Sequence, residues 1–396
     1  MPDTTSIAAP MSPAAHEGDA GVAAALAAVP AASFLAGRGV RLGVPGVDGD
    51  GGSSRPPAAA PAPVGVASLL AMVGARPGWR VLQVGAGTGY AAALLAHVVG
   101  ARGAVTAVEA DPDVAVAARR ALVTARVPVR VDVRGVAAGH PEGAPFDAVV
   151  VTAAVDRVPR AWFDQLRPGG RLVAPLRLSP VGTRSQAVVA LRKATNGFDH
   201  LAAMPADLAP LHTGAGAGRT RGRPARMVVS EAADPRRDRL LVGLAGPALA
   251  GLDRADRQRL AVTMLGFGRS RRLRLGRGAV DDLLAYVALA LPEERLVEVS
   301  RGGGAGFAAR RAPGVVDAVD GGLAVLVPGA VGGELRVDAW GGRRAERALL
   351  ATAERWALAG RPGIGGARVA VRYGPVRPRA WWSARRGDQW LALDWG

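Results

Sequence analysis
The chain has 396 residues, more than one core normally spans, so two domains are expected. Nearly half of the residues are apolar but only 4% are aromatic, so the core must be mostly Ala, Val and Leu. No cysteine is present, which excludes disulfides, thiolate metal sites and a cysteine nucleophile, and the net charge of +17 rests almost wholly on arginine, with Lys193 the only lysine.

Residues 1–20 carry no positive region ahead of an apolar stretch, so no secretory signal is read there and the segment is expected to be disordered. Residues 21–36 have helical spacing broken at Pro30, and 43–63 (GVPGVDGDGGSSRPPAAAPAP) is dense in glycine and proline and reads as loop. A helix is expected over 64–74. Strands and helices then alternate: strand 80–84, helix 89–99, strand 104–109, helix 112–125, strand 129–133, strand 146–152, helix 158–166 and strand 170–175. Continuous apolar strands such as DAVVVT (147–152) suit a parallel sheet covered on both faces. The expected fold is therefore a doubly wound, Rossmann-like α/β domain over 21–200.

Regularity fades afterwards. Residues 180–200 read as a hairpin and 201–240 as a linker or mobile loop, centred on HTGAGAGRTRGRPAR. A smaller α+β domain is expected over 241–396, with helices near 252–265, 279–290 and 343–358, short strands through 296–338, and closing strands at 367–373 and 389–394. Apolar runs such as 64–73 are too short to span a bilayer, so no membrane association is expected and the protein is read as cytoplasmic.

The sequence RVLQVGAGTGY (80–90) carries three glycines directly after the first strand. A dinucleotide fingerprint needs a third glycine at position 90, where Tyr90 stands, and a phosphate loop needs a Gly-Lys-Ser/Thr ending that is absent. No lysine or arginine in the loop meets a phosphate charge. Glu109, closing the second strand, can accept both hydroxyls of a ribose. A nucleoside cofactor with a ribose and no phosphate fits this pattern: S-adenosylmethionine. Its expected contacts are Val84, Gly85, Ala86, Gly87, Thr88, Gly89, Glu109, Ala110, Gly135, Val136 and Thr152. No HxxxH, HExxH or acidic cluster suggests a metal.

Three stretches, VLQVGAGTGYAAALLAHVVG (81–100), GAPFDAVVVTAAVDRVP (143–159) and QLRPGGRLVAPL (165–176), closely resemble the protein-L-isoaspartate O-methyltransferases. The resemblance covers about residues 29–195, with VPAASF (29–34) and TRSQAVVALRK (183–193) as weaker flanks. Length and composition resemble C-terminally extended members found beside actinobacterial peptide-maturation systems. The resemblance implies O-methylation of an aspartyl or isoaspartyl carboxylate of a protein or modified peptide, the ester closing to a succinimide or aspartimide.

Two departures stand out. The family holds the substrate carboxylate with a Ser-x-Pro serine, and counting back from Pro77-Gly78 that position falls on Pro61. Ser54-Arg55-Pro56 preserves the tripeptide upstream, so Ser54 is either its displaced equivalent, and then the expected catalytic contact, or a solvated serine in a flexible loop. The family's Gly-Asp-Gly after the third strand is here Arg134-Gly135-Val136-Ala137, without the acid beside the adenine. His140 is a minor candidate for touching substrate. The arginine-rich stretches 268–278 and 384–387 are read as solvated faces before acidic-peptide contacts.

The competing readings are an RNA methyltransferase, motivated by the charge, and a degenerate methyltransferase fold serving as a binding module. Thr152-Ala153-Ala154-Val155 replaces the NPPY or DPPY loop that base methylation requires, so nucleic acid is not the expected partner. The expected partner is a protein or peptide, and the oligomeric state is left open.

Overall fold
In the computed structural model the described residues are 19–35, 63–181, 185–206, 208, 226–230, 241–276, 278–302, 310–329 and 333–395. Ser54 and Pro61 lie outside them, as does most of the stretch 1–20. Asp19 and Ala20 are helical rather than disordered.

Helix α1 (Asp19–Ala28) ends before Pro30 and is followed by the short α2 (Ala32–Leu35) and by α3 (Pro63–Val73). The alternating region then gives β1 (Arg80–Val84), α4 (Tyr90–Val99), β2 (Ala104–Glu109), α5 (Pro112–Thr124), β3 (Arg130–Val133), β4 (Phe146–Val151), α6 (Arg160–Asp164) and β5 (Leu166–Arg177). Helix α6 is shorter than expected because Pro159 caps it and Leu166 already pairs with Phe146. Strand β5 is correspondingly longer. A register shift in its pairing with β4 absorbs Pro168-Gly169-Gly170, so that Arg171 is the next partner, opposite Ala148.

Strands β1 to β5 are parallel in the order β3-β2-β1-β4-β5. This is the doubly wound sheet expected from the sequence, and the order reverses between β1 and β4. One face is covered by α1, α3, α4 and α5 through residues such as Leu69, Leu94 and Leu122. The other is covered around Trp162 and Phe163 of α6. Antiparallel β6 (Gln186–Ala194) and β7 (Gly197–Ala206) extend the sheet, so 201–206, expected as linker, is strand.

A second, antiparallel sheet holds β8 (Arg226–Ser230), β9 (Leu241–Ala245), β10 (Arg269–Arg274), β11 (Leu296–Gly302), β12 (Arg310–Asp317), β13 (Gly322–Pro328) and β14 (Glu334–Trp340). Strand β8 also falls within the expected linker, and its Met-Val-Val run explains why it pairs. Helices α7 (Pro247–Ala250), α8 (Arg254–Leu265), α9 (Ala279–Ala290) and α10 (Arg344–Leu358) accompany this sheet. The arginine-rich 269–274 is its edge strand β10. Charge on an unpaired edge discourages pairing with other chains.

The closing strands β15 (Ala367–Tyr373), β16 (Trp382–Arg386) and β17 (Gln389–Trp395) do not belong to the second sheet. They continue the first, through β15 beside β7, making ten strands in the order β16-β17-β15-β7-β6-β5-β4-β1-β2-β3. Helix α9 is buried over Leu283–Leu289 and feeds both cores. Its Ala285 and Leu289 belong to the core that holds Val371 and Leu391, and its Leu283, Leu284 and Val287 to the core that holds Val315 and Val337. A helix apolar on all sides is one enclosed on all sides. We therefore propose two lobes in which residues 367–395 go with the first, in place of a simple division at 240.

Candidate active site
In a doubly wound sheet a ligand sits beyond the carboxyl ends of the strands where their order reverses. Here that place is bounded by the ends of β1, β2 and β4 and by the loops after them. The glycine loop leaves β1 with Gly85, Gly87 and Gly89 at φ 83°, 54° and 86°, a left-handed backbone that other residues enter at a cost of roughly 1–2 kcal/mol. A Cβ at Gly89 would press on Leu122 and the Ala118 carbonyl of α5, 3.2 and 3.3 Å away. Gly87 instead faces open space. The first of these glycines brings the helix layer close and the second leaves the backbone accessible.

The Gly85 carbonyl accepts two side-chain hydrogen bonds, from Gln83 Nε2 at 3.0 Å and Thr152 Oγ1 at 3.2 Å. The start of the loop is thereby tied to β1 and to the end of β4. Gln83 is 1% exposed, and sequence reasoning passed over it. Its signal was a polar residue in an otherwise apolar strand, RVLQV.

Glu109 is buried at the end of β2, and its carboxylate organises the backbone around it. Oε2 accepts the Gly87 N–H at 3.2 Å, and Oε1 accepts those of Ala110 and Asp111 at 2.9 and 3.2 Å. A carboxylate has about four acceptor positions, so capacity remains on Oε2 for a hydroxyl. Of the expected contacts, five thus fall into two hydrogen-bonded groups, Gly85 with Thr152 and Gly87 with Glu109 and Ala110. Val84 is the buried last residue of β1, Ala86 is buried, and Thr88 Oγ1 accepts the Tyr90 N–H at 3.3 Å where α4 begins.

Gly135 and Val136 lie in the loop after β3, which α6 holds from below. Trp162 Nε1 donates to the Val136 carbonyl at 2.9 Å. The Gln165 amide donates to the Ala138 carbonyl at 2.7 Å and accepts the His140 N–H at 2.7 Å. His140 itself is 1% exposed, which removes it from direct substrate contact. Its Nε2 lies 2.7 Å from Asp132 Oδ2, and Arg130 pairs with the same carboxylate at 2.8 Å. Asp132, two residues before Arg134 on β3, is thus engaged with His140 and Arg130.

Burial acts to raise the Asp132 pKa, but the His140 hydrogen bond and Arg130 outweigh it, leaving the carboxyl below its ordinary value. A depressed folded-state value means stabilisation that is complete above the unfolded value, about 3.9, and lost as pH falls through the folded one. Asp132→Asn is therefore expected to flatten the acid limb of a stability profile below about pH 4, as read from urea unfolding at several pH values. A variant limb as steep as the wild-type one would count against this.

Among the described residues no group of three or more His, Asp or Glu side chains is placed to hold a metal, and no helix is long and apolar enough to cross a membrane. His97 is exposed on α4, and His200 Nδ1 accepts the Val369 N–H at 3.2 Å. The second arginine stretch has a structural use, since Arg386 pairs with Glu293 at 2.8 Å.

Residues 52–205 match the family described as protein-L-isoaspartate(D-aspartate) O-methyltransferase. The protein-L-isoaspartate O-methyltransferase of Methylorubrum populi is 44% identical over 153 residues, which are 38% of this chain and 69% of that one. This chain belongs to the protein-L-isoaspartate O-methyltransferase family. The Thermotoga maritima member is 40% identical over 114 residues, 28% of this chain and 36% of its own. A solved structure bearing the family name aligns over 89% of this chain and 92% of its own, with 21% identity and a TM-score of 0.46.

Membership makes this chain an enzyme of the O-methyltransferase class with S-adenosylmethionine as cofactor. The site fits that donor: Glu109 has acceptor capacity for a ribose, Gly87 and Gly135 face open space, and residues 84–89 carry no cation for a phosphate.

Proposed function
We propose that the protein methylates a side-chain or isoaspartyl carboxylate of a protein or modified peptide, with Val84, Gly85, Ala86, Gly87, Thr88, Gly89, Glu109, Ala110, Gly135, Val136 and Thr152 holding the methyl donor. The observation that supports this most is the Glu109 carboxylate bonded to the Gly87 N–H with acceptor capacity to spare. It joins the glycine loop to the residue expected to take the ribose.

The donor supplies an electrophilic sulfonium methyl group. The substrate carboxylate is already an anion and needs no base. With the donor bound, the carboxylate oxygen would take the methyl group directly, an oxygen–methyl bond replacing the sulfur–methyl bond with no proton transferred. The chain's task is alignment and exclusion of water. Thr152 and Gln83 fix the glycine loop that would hold the donor, and the segment after β4 would border the substrate. The following backbone nitrogen can then attack the ester and expel methanol, which closes a succinimide, or aspartimide in a modified peptide.

Ser54 is proposed to orient the substrate carboxylate in place of the serine absent at Pro61. A hydroxyl on a charged nucleophile contributes roughly 1.5–3 kcal/mol, so Ser54→Ala is expected to slow transfer about ten- to a hundredfold. The measurement is methyl transfer to an isoaspartyl peptide and to an acidic aspartate-containing peptide. Full activity in the variant would remove Ser54 from the mechanism. Donor binding without transfer to either peptide would support the binding-module reading, and transfer to RNA in their place would support the nucleic-acid one.

A further inference from the structure
Residues 152–159 run from β4 to α6 at the ligand end of the sheet. Thr152 begins the segment on the Gly85 carbonyl. Val155 is held midway, its N–H donating to the Pro175 carbonyl and its own carbonyl accepting the Arg177 N–H, both at 2.9 Å. Asp156 and Arg157 are exposed, and Val158 is fully buried. What holds Val158 comes from more than 200 residues further along the chain.

Gln389 Oε1 accepts the Val158 N–H at 3.2 Å, and its Nε2 donates to the Val158 carbonyl at 2.9 Å. The Tyr373 hydroxyl donates to the same carbonyl at 3.1 Å. One side-chain amide thus satisfies both polar groups of one residue, as a neighbouring strand would. Gln389 and Tyr373 are register partners across β15 and β17, and they are 1% and 6% exposed. Burial pushes the Tyr373 pKa up, which keeps the hydroxyl protonated and able to donate. A glutamine this buried is uncommon unless its amide is fully used. Both residues lie outside the matched stretch 52–205.

We propose that Gln389 and Tyr373 are positioning residues for methyl transfer, holding the 152–158 segment in its working geometry through Val158. The inference rests on the methyltransferase reading above. The C-terminal strands β15 and β17 are then part of the transferase, supplying the far anchor of the segment that borders the substrate. Helix α6 keeps its own buried contacts through Trp162 and Phe163, so losing the clamp frees 156–158 more than it disturbs the cofactor. Misplacement of reacting groups by about 1 Å costs up to roughly a hundredfold in rate.

The test uses the full chain with Gln389→Met, which keeps length and removes both bonds, and Tyr373→Phe, which removes only the hydroxyl. Leu391→Val, on the same strand and equally buried, is the control for general loosening. Three quantities are read: S-adenosylhomocysteine affinity by calorimetry, kcat and KM for an isoaspartyl peptide, and hydrogen exchange over 153–159. Expected for Gln389→Met are a kcat about tenfold lower, cofactor-product affinity within about twofold, and faster exchange over that segment, with a smaller effect of the same kind in Tyr373→Phe. The proposal is overturned if Gln389→Met folds with unchanged exchange and kcat, or if Leu391→Val gives the same losses at equal thermal stability. Should Gln389→Met not fold, unchanged exchange and kcat in Tyr373→Phe overturn it. If the wild type methylates neither test peptide, the activity assignment fails by itself, and exchange over 153–159 still decides whether the clamp orders the segment.

Discussion
Replacing Glu109 by alanine is expected to weaken S-adenosylhomocysteine binding by about 10- to 100-fold. Two losses combine. The ribose loses its acceptor, and a hydrogen bond to a charged group contributes roughly 1.5–3 kcal/mol. The N–H groups of Gly87, Ala110 and Asp111 also lose the carboxylate that now accepts them, so the loop around the donor loses its internal brace. Glu109→Gln separates the two contributions, because one amide oxygen still accepts while the amide nitrogen opposes an N–H. Its affinity is expected to fall between wild type and Glu109→Ala. Calorimetry showing equal affinity in all three proteins would remove Glu109 from the site.

The largest stability loss is expected for Trp162→Ala. Trp162 is fully buried between the sheet and the 134–139 loop, and its indole N–H meets the Val136 carbonyl. Truncating a buried tryptophan costs about 3–5 kcal/mol through lost burial and the cavity left behind. That is a large share of the 5–15 kcal/mol typical of folded domains. Trp162→Phe keeps most of the packing and loses the hydrogen bond, for which about 1 kcal/mol is expected. Denaturant unfolding measures both. A loss below about 1 kcal/mol for alanine would mean that the site collapses freely and that α6 does not brace the loop.

The parallel sheet was legible because its inner strands, β4 above all, are buried on both faces and read as mostly apolar runs, with glycine or charge where they stop. The glycine loop and Glu109 were legible because their spacing within one β-α-β unit is short and fixed. The return of 367–395 to the first sheet was not. Pairing of Phe198 with Val371 joins residues far apart in the chain, and an antiparallel strand carries no local mark of which sheet it will enter. The same applies to the pairing of Asp132 with His140: the sequence offered His140 only as a minor substrate candidate, and the two meet because β3 and its loop fold back. Gln389 looked like a polar residue in a closing strand until Val158 was seen opposite it.

The order of strands in the first sheet has a consequence for the chain as it is being made. Strand β7 is complete at Ala206, but its neighbour β15 begins only at Ala367. At ordinary synthesis rates the ribosome takes on the order of 10–30 s to cover that distance. During that interval the Gly197–Phe198 end of β7 lacks its partner. An unpaired strand edge is a template for pairing with other chains. The nascent methyltransferase sheet is thus exposed to misassembly for as long as the second lobe is being synthesised, and chaperone occupancy on stalled chains is expected to be greatest for those that end between 206 and 367.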